Sequence, residues 1–266
     1  MRVATLNFHA GVDGWGRTTE VVERALGFNA DVLIAPELWR GDEGDDLFDE
    51  LRERGGYEGV FAPLARAQRN TSAKPGRTWQ PLLAHFNGER GLFFEEHRGL
   101  SSAQRRSRER ASRLEPGAWG LAILTRLPIE ETRVVDLGRL RRERVTRALV
   151  LARLQSPTGP FWAAAVHGAH LSHGSRHQYR TINALLDELR PTLPILLGGD
   201  FNSWRPVLRV ILPGWRSLVR RRTWPARHPH SQIDHLLVRG AWRVHEGDSV
   251  EAGSDHRALI AEVTLD

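Results

Sequence analysis

Short apolar runs recur along this chain, several of them without polar alternation. Residues 2–8, 31–35, 119–125, 161–166 and 194–197 read this way, and such runs predict strands covered on both faces. Residues 147–155 and 161–166 flank Ser156-Pro157-Thr158-Gly159 and predict a hairpin. Further strands are expected at 129–137, 233–238, 241–245 and 256–265, the last three closing the second of two sheets. Helical spacing occurs at 16–28, where Val21, Val22, Ala25 and Leu26 form a stripe. It recurs at 176–190, with Ile182, Leu185, Leu186 and Leu189 inward, and a short helix is expected at 204–211. Segment 41–54 carries acidic residues early and arginine late, which suits a helix dipole. Residues 61–118 are the least legible and end in an Arg-rich stretch, read as an insertion that forms either a helix or a loop. Strands and helices alternate from end to end with no linker. One α/β domain over 1–266 is expected, with two sheets packed face to face and helices outside.

Polar chemistry gathers at the ends of these runs. Pro194-Ile195-Leu196-Leu197-Gly198-Gly199-Asp200-Phe201-Asn202 is the most telling. Its glycines let the backbone turn or let a ligand approach. Asp200 and Asn202 are two apart, so in extended chain both leave on one side. A carboxylate beside a carboxamide can orient a water and donate to an anionic oxygen; the same two residues also suit plain turn hydrogen bonds. Asn7, Glu37, His167, His170, Asp234, Asp255 and His256 sit at or near the ends of other runs. Glu37 follows a buried strand and needs a partner there, for which a hard divalent cation is natural. His167, His170, His173 and His177 could suggest Zn²⁺, since imidazole suits it. The carboxylates and amide at Asn7, Glu37 and Asp255 favour Mg²⁺ or Mn²⁺ instead, leaving the extra histidines as surface or phosphate contacts.

Composition narrows the classes. The chain has 266 residues, nine Trp and no Cys, which excludes disulfides and thiolate metal sites. No run is long enough for a transmembrane helix, so a cytoplasmic, soluble protein is expected. Net charge is +6, and of 38 basic residues only Lys74 is lysine. Arginines cluster at 98–113, 139–147 and 216–222, between the strands with polar ends. Guanidinium forks suit phosphate oxygens, so Arg105, Arg106, Arg108, Arg144, Arg147 and Arg221 are candidate substrate contacts. A solvated surface paired with Glu109, Glu115 and Glu143 is the plainer alternative.

The ordered set from Asn7 through Glu37, His170, Gly199-Asp200-Phe201-Asn202 and Asp234 to Ser254-Asp255-His256 resembles the endonuclease/exonuclease/phosphatase superfamily, which has a DNase I-like fold. The stretch from Thr223-Trp224-Pro225-Ala226 to Asp234-His235 looks more like its bacterial phosphatase-type members. The resemblance implies a four-layer α-β-β-α sandwich of two mixed sheets. It makes Glu37 the principal metal ligand, with Asn7 completing the shell through its amide oxygen and Asp255 supporting the metal or its water. His256, hydrogen-bonded by Asp234, would contact the scissile phosphate, while His170 and Asn202 donate to non-bridging oxygens. Asp200 would orient or deprotonate the attacking water, although Asp200-type and His256-type bases compete in the superfamily. The expected activity is Mg²⁺- or Mn²⁺-dependent phosphodiester hydrolysis, with nucleic acid as substrate. A phosphatase acting on a small or lipid-linked phosphate and a non-catalytic polyanion-binding protein are the alternatives.

Overall fold

The computed structural model describes residues 1–12, 18–72, 85–86, 89–90, 112–143, 145–170, 173–189 and 193–266. The strands are β1 (Arg2–Thr5), β2 (Val32–Gly41), β3 (Glu58–Ser72), β4 (His85–Phe86), β5 (Glu89–Arg90), β6 (Ser112–Thr125) and β7 (Ile129–Gly138). They continue with β8 (Arg147–Ser156), β9 (Gly159–His167), β10 (Ile195–Asp200), β11 (Arg216–Ser217), β12 (Asp234–Arg239), β13 (Trp242–Glu251) and β14 (Arg257–Leu265). The helices are α1 (Val21–Gly27), α2 (Leu47–Gly55), α3 (Arg176–Leu189) and α4 (Arg205–Ile211).

Two six-stranded sheets form the body, in the orders β13-β14-β1-β2-β6-β3 and β11-β12-β10-β9-β8-β7. Each is mixed: β1 and β2 run parallel in the first, β9 and β10 in the second, and the other pairs are antiparallel. The unbroken apolar runs follow from burial on both faces. In the second sheet Val150, Ala152, Leu154, Ala163, Ala165, Leu196, Leu236 and Val238 join the large core shared with the first sheet. Their neighbours Leu149, Leu151, Trp162, Ala164, Val166, Ile195, Leu197 and Leu237 pack with Tyr179, Ile182 and Leu186 of α3 and Leu208 and Ile211 of α4. α1 and α2 join the large core through Val21, Val22, Ala25, Leu47, Phe48 and Leu51. The α/β sandwich expected from the resemblance is therefore present.

Three expectations need correction. β13 and β14 do not close the second sheet; β14 pairs with β1 in the first, and only β12 joins the second. The edges of the least legible segment, 61–72 and 112–118, are strand: β3 and β6 form a long antiparallel pair from Glu58↔Thr125 to Ser72↔Ser112. The predicted helix over 41–54 is shorter, because β2 runs on to Gly41 and Asp46 caps α2 at Leu47, accepting from the Phe48 and Asp49 N–H groups.

Candidate active site

Three neighbouring strands of the second sheet bring one polar residue each to the same level. Asp200 ends β10, with His167 at the end of β9 and Asp234 at the start of β12 as its register partners. Partners in register project to one face of a sheet, so these side chains are gathered by topology although far apart in sequence. The first sheet supplies Glu37. The β2–β6 pairing shifts register between Pro36 and Leu38, and Glu37 takes φ 56°. This bulge turns the side chain out of the regular alternation. Asn202 is left-handed as well, with φ 46°. Strained non-glycine backbone of this kind persists where surrounding structure holds it, often at functional sites.

Asn7, just past β1, ties the two sheets together. Its Nδ2 donates to Glu37 Oε1 at 3.0 Å and to Asp200 Oδ2 at 3.1 Å. Its Oδ1 accepts from the His9 backbone N–H at 2.9 Å. The amide nitrogen, rather than the expected oxygen, thus faces the carboxylates. Ser254 Oγ donates to the Asn7 carbonyl at 2.7 Å, which brings Asp255 and His256 to the same end of the sandwich. His256 Nδ1 lies 2.8 Å from Asp234 Oδ2, and both side chains are buried. Asn202 makes the turn hydrogen bond, its N–H donating to Asp200 Oδ1 at 2.7 Å, and its Nδ2 is engaged by the Gly168 carbonyl at 3.0 Å.

Burial sets the electrostatics. Glu37 is 8% exposed, Asp200 2% and Asp234 0%. Burial raises the Glu37 carboxyl, with His9 and Asn7 opposing. Asp200 is pushed up to about 7, by burial first and the Asp234 charge second. Burial alone would lower His256, but the Asp234 and Asp255 carboxylates outweigh it and hold the ring well above its ordinary value. Asp255 is held low by the His9 and His256 rings against the cost of burial.

Of the remaining expected residues, His170 is exposed, with its ring 5.8 Å from that of His173. Arg147 is not a free phosphate contact. It is buried, its Nη2 2.6 Å from Glu143 Oε2, and its Nη1 donates to the His167 carbonyl at 3.4 Å. A strand position facing the interior, not a loop, explains this. Arg221 is exposed, 3.6 Å from Asp248. Arg105, Arg106, Arg108 and Arg144 lie outside the described residues. His167 is corrected most. Read as a surface or phosphate contact, it is 5% exposed, with Nε2 3.5 Å from Glu37 Oε1 and 3.8 Å from Asp200 Oδ2. The signal that could have found it is its alignment with Asp200 once β9 and β10 are paired in parallel.

Glu37, His167 and Asp200 bring ligand atoms within 4.8 Å of one another, as do Asp200, Asp234 and His256. Glu37 Oε2 is buried without a hydrogen-bond partner among the described residues. An orphaned carboxylate oxygen beside a second carboxylate raised by burial fits a site for a divalent cation.

The family model described as Endonuclease/Exonuclease/phosphatase family matches residues 5–256. This chain belongs to that family. Family members act on phosphoesters and include both nucleases and phosphatases. A UPF0294 protein of Vibrio cholerae is 26% identical over 134 residues, 46% of this chain and 47% of the relative. The match thus spans about half the length of that curated relative. Among solved structures, an endonuclease/exonuclease/phosphatase from Beutenbergia cavernae is 19% identical with a TM-score of 0.66, covering 100% of this chain and 71% of that one. The human Nocturnin catalytic domain with bound sulfate anion is 18% identical with a TM-score of 0.61, covering 100% and 93%. A mannosyl-6-phosphatase of Bacteroides thetaiotaomicron is 14% identical with a TM-score of 0.65, covering 100% of both chains. These three likenesses establish the shared fold. Among the described residues no helix is long and apolar enough to cross a membrane.

Proposed function

We propose that this protein is a Mg²⁺- or Mn²⁺-dependent phosphodiesterase acting on nucleic acid. The observation that carries the hydrolytic half is the buried meeting of Glu37, Asn7 and Asp200 beside the Asp234–His256 pair. Glu37 and Asp200 would hold the cation, with Asn7 orienting both carboxylates and Asp255 nearby. A cation bound there supplies positive charge against the oxygens on which negative charge develops. Asp200 would also orient the attacking water or take its proton. His256 is fixed through Nδ1 by Asp234 and, being charged, donates to a phosphate oxygen. His170 and Asn202 add donors at the rim, in keeping with the exposed ring of one and the turn position of the other.

Support for a nucleic-acid substrate comes from the surface near this end of the molecule. Arg220, Arg221, Arg222 and Arg227 are exposed, together with Trp204 and Trp224, at 57% and 37%. The segment is joined to the site, since the Ala226 N–H donates to the Asp255 carbonyl at 2.7 Å. Cationic side chains interleaved with open aromatic faces suit a phosphate backbone and its bases. The test is hydrolysis of single- and double-stranded DNA, RNA, nucleotides and sugar and lipid phosphates, each with Mg²⁺, Mn²⁺ or chelator. Metal-dependent cleavage of polynucleotide is expected, with affinity falling steeply as salt rises. Cleavage of small or lipid phosphates alone would transfer the site to a phosphatase, and polynucleotide binding without hydrolysis would make it a binding protein.

A further inference from the structure

His167 is a buried histidine whose Nδ1 makes no hydrogen bond among the described residues, and whose Nε2 lies 3.5 Å from both the Asn202 amide nitrogen and Glu37 Oε1. His235 is buried on the same sheet but is satisfied differently, its Nε2 donating to the Ser203 carbonyl at 2.9 Å. His167 lies beside two carboxylates without closing on either of them. The ring is also fixed in place, 5.2 Å from the Trp119 ring and with its backbone carbonyl accepting from Arg147.

The spacing is the second observation. Nε2 stands 3.5 Å from Glu37 Oε1 and 3.8 Å from Asp200 Oδ2, too far for hydrogen bonds. Nitrogen and oxygen ligands about 2.1 Å from one ion lie roughly 3.0–3.5 Å from each other, which is close to this arrangement. We propose that His167 is a metal ligand, completing with Glu37 and Asp200 a mixed nitrogen and oxygen set that favours Mn²⁺ and later first-row ions over Mg²⁺. Mg²⁺ prefers oxygen ligands and sheds water reluctantly, whereas imidazole binds Mn²⁺, Co²⁺ and Zn²⁺ increasingly well. His167 is buried and is not a surface group. This proposal rests on the metal-dependent part of the function above, but its readouts are binding and spectroscopy rather than turnover.

The experiment titrates metal-free protein with Mg²⁺ and with Mn²⁺ by calorimetry. It then records the electron spin-echo modulation of the Mn²⁺-loaded protein, which detects nitrogen bonded to the ion. A coupled nitrogen is expected, absent in His167→Gln and kept in His9→Gln, His170→Gln and His256→Gln. His167→Gln should also weaken Mn²⁺ on the order of tenfold or more while changing Mg²⁺ far less. If His167→Gln does not fold, retention of the coupling in the three other variants assigns it to His167. No coupled nitrogen, coupling that survives in His167→Gln, coupling lost in another variant alone, or no Mn²⁺ binding would each overturn the proposal. Mn²⁺ bound through nitrogen by a protein that hydrolyses no phosphoester would sink the function and leave the ligand assignment standing.

Discussion

At the scale of single residues, the site is a set of buried charges whose protonation is linked to folding. The His256 ring is held above its ordinary value, so its contribution is fully present below about pH 6.5 and is lost as pH rises through its folded value. Asp200, also raised, loses stability in the same direction until about pH 7. His167 and His235 are depressed by burial and act oppositely, but their effect is complete by pH 6.5. Metal-free protein in chelator should therefore melt at a lower temperature at pH 8.5 than at pH 6.5, and Asp234→Asn should remove most of that slope. Calorimetry across this range checks it, and a flat or rising melting temperature would count against the Asp234–His256 pair. Most of these residues are legible in sequence because each polar group sits at or near one end of an apolar run. His167 was not, since a histidine after a strand looks the same whether it faces solvent or a neighbouring strand end. Arg147 was misread for the converse reason: its arginine neighbours sit in a loop, but the residue itself begins a strand.

At the scale of elements, the site depends on how closely β9 and β10 lie. Gly199 has φ 133°, and a Cβ there would stand 1.9 Å from the Val166 carbonyl oxygen. That contact is backbone, so no side chain can yield. Gly199→Ala is expected to cost about 3 kcal/mol or more, and to uncouple Asp200 from His167 even where the rest of the fold survives. Denaturant unfolding measures the first effect and loss of Mn²⁺ binding the second; a stable variant with unchanged binding would refute both. The same pairing explains which elements could be read in advance. β9, β10 and β12 are buried on both faces and announce themselves as apolar runs. β3 does not, because it alternates Ala62, Leu64, Ala67 and Arg69 inward with exposed Pro63 and Arg66, and a register shift between Pro63 and Ala65 breaks the period. Arg69 is buried in that strand only because Glu115 and Asp45 pair with it, at 2.5 Å and 2.9 Å. Sheet membership of β13 and β14 was unreadable for a different reason, since apolar periodicity reports burial and not which strand lies alongside.

For the whole molecule, two mixed sheets meet so that Glu37 from one and Asp200, His167 and Asp234 from the other share a single end of the sandwich. β1 lies between β14 and β2, which brings Asn7 and His256 together from opposite ends of the chain. The arrangement leaves on Glu37 a buried carboxylate oxygen with no hydrogen-bond partner among the described residues. The claim that this oxygen belongs to a metal-dependent phosphoesterase is tested most directly by Glu37→Gln, which keeps volume and removes the charge. Turnover of a phosphodiester is measured for chelator-treated protein and its variant as Mn²⁺ or Mg²⁺ is added back. The account predicts no turnover in chelator, recovery with metal in the native protein, and a loss on the order of a hundredfold or more in a folded Glu37→Gln variant. Turnover that survives chelation, or a folded variant that matches the native protein at every metal concentration, would contradict it.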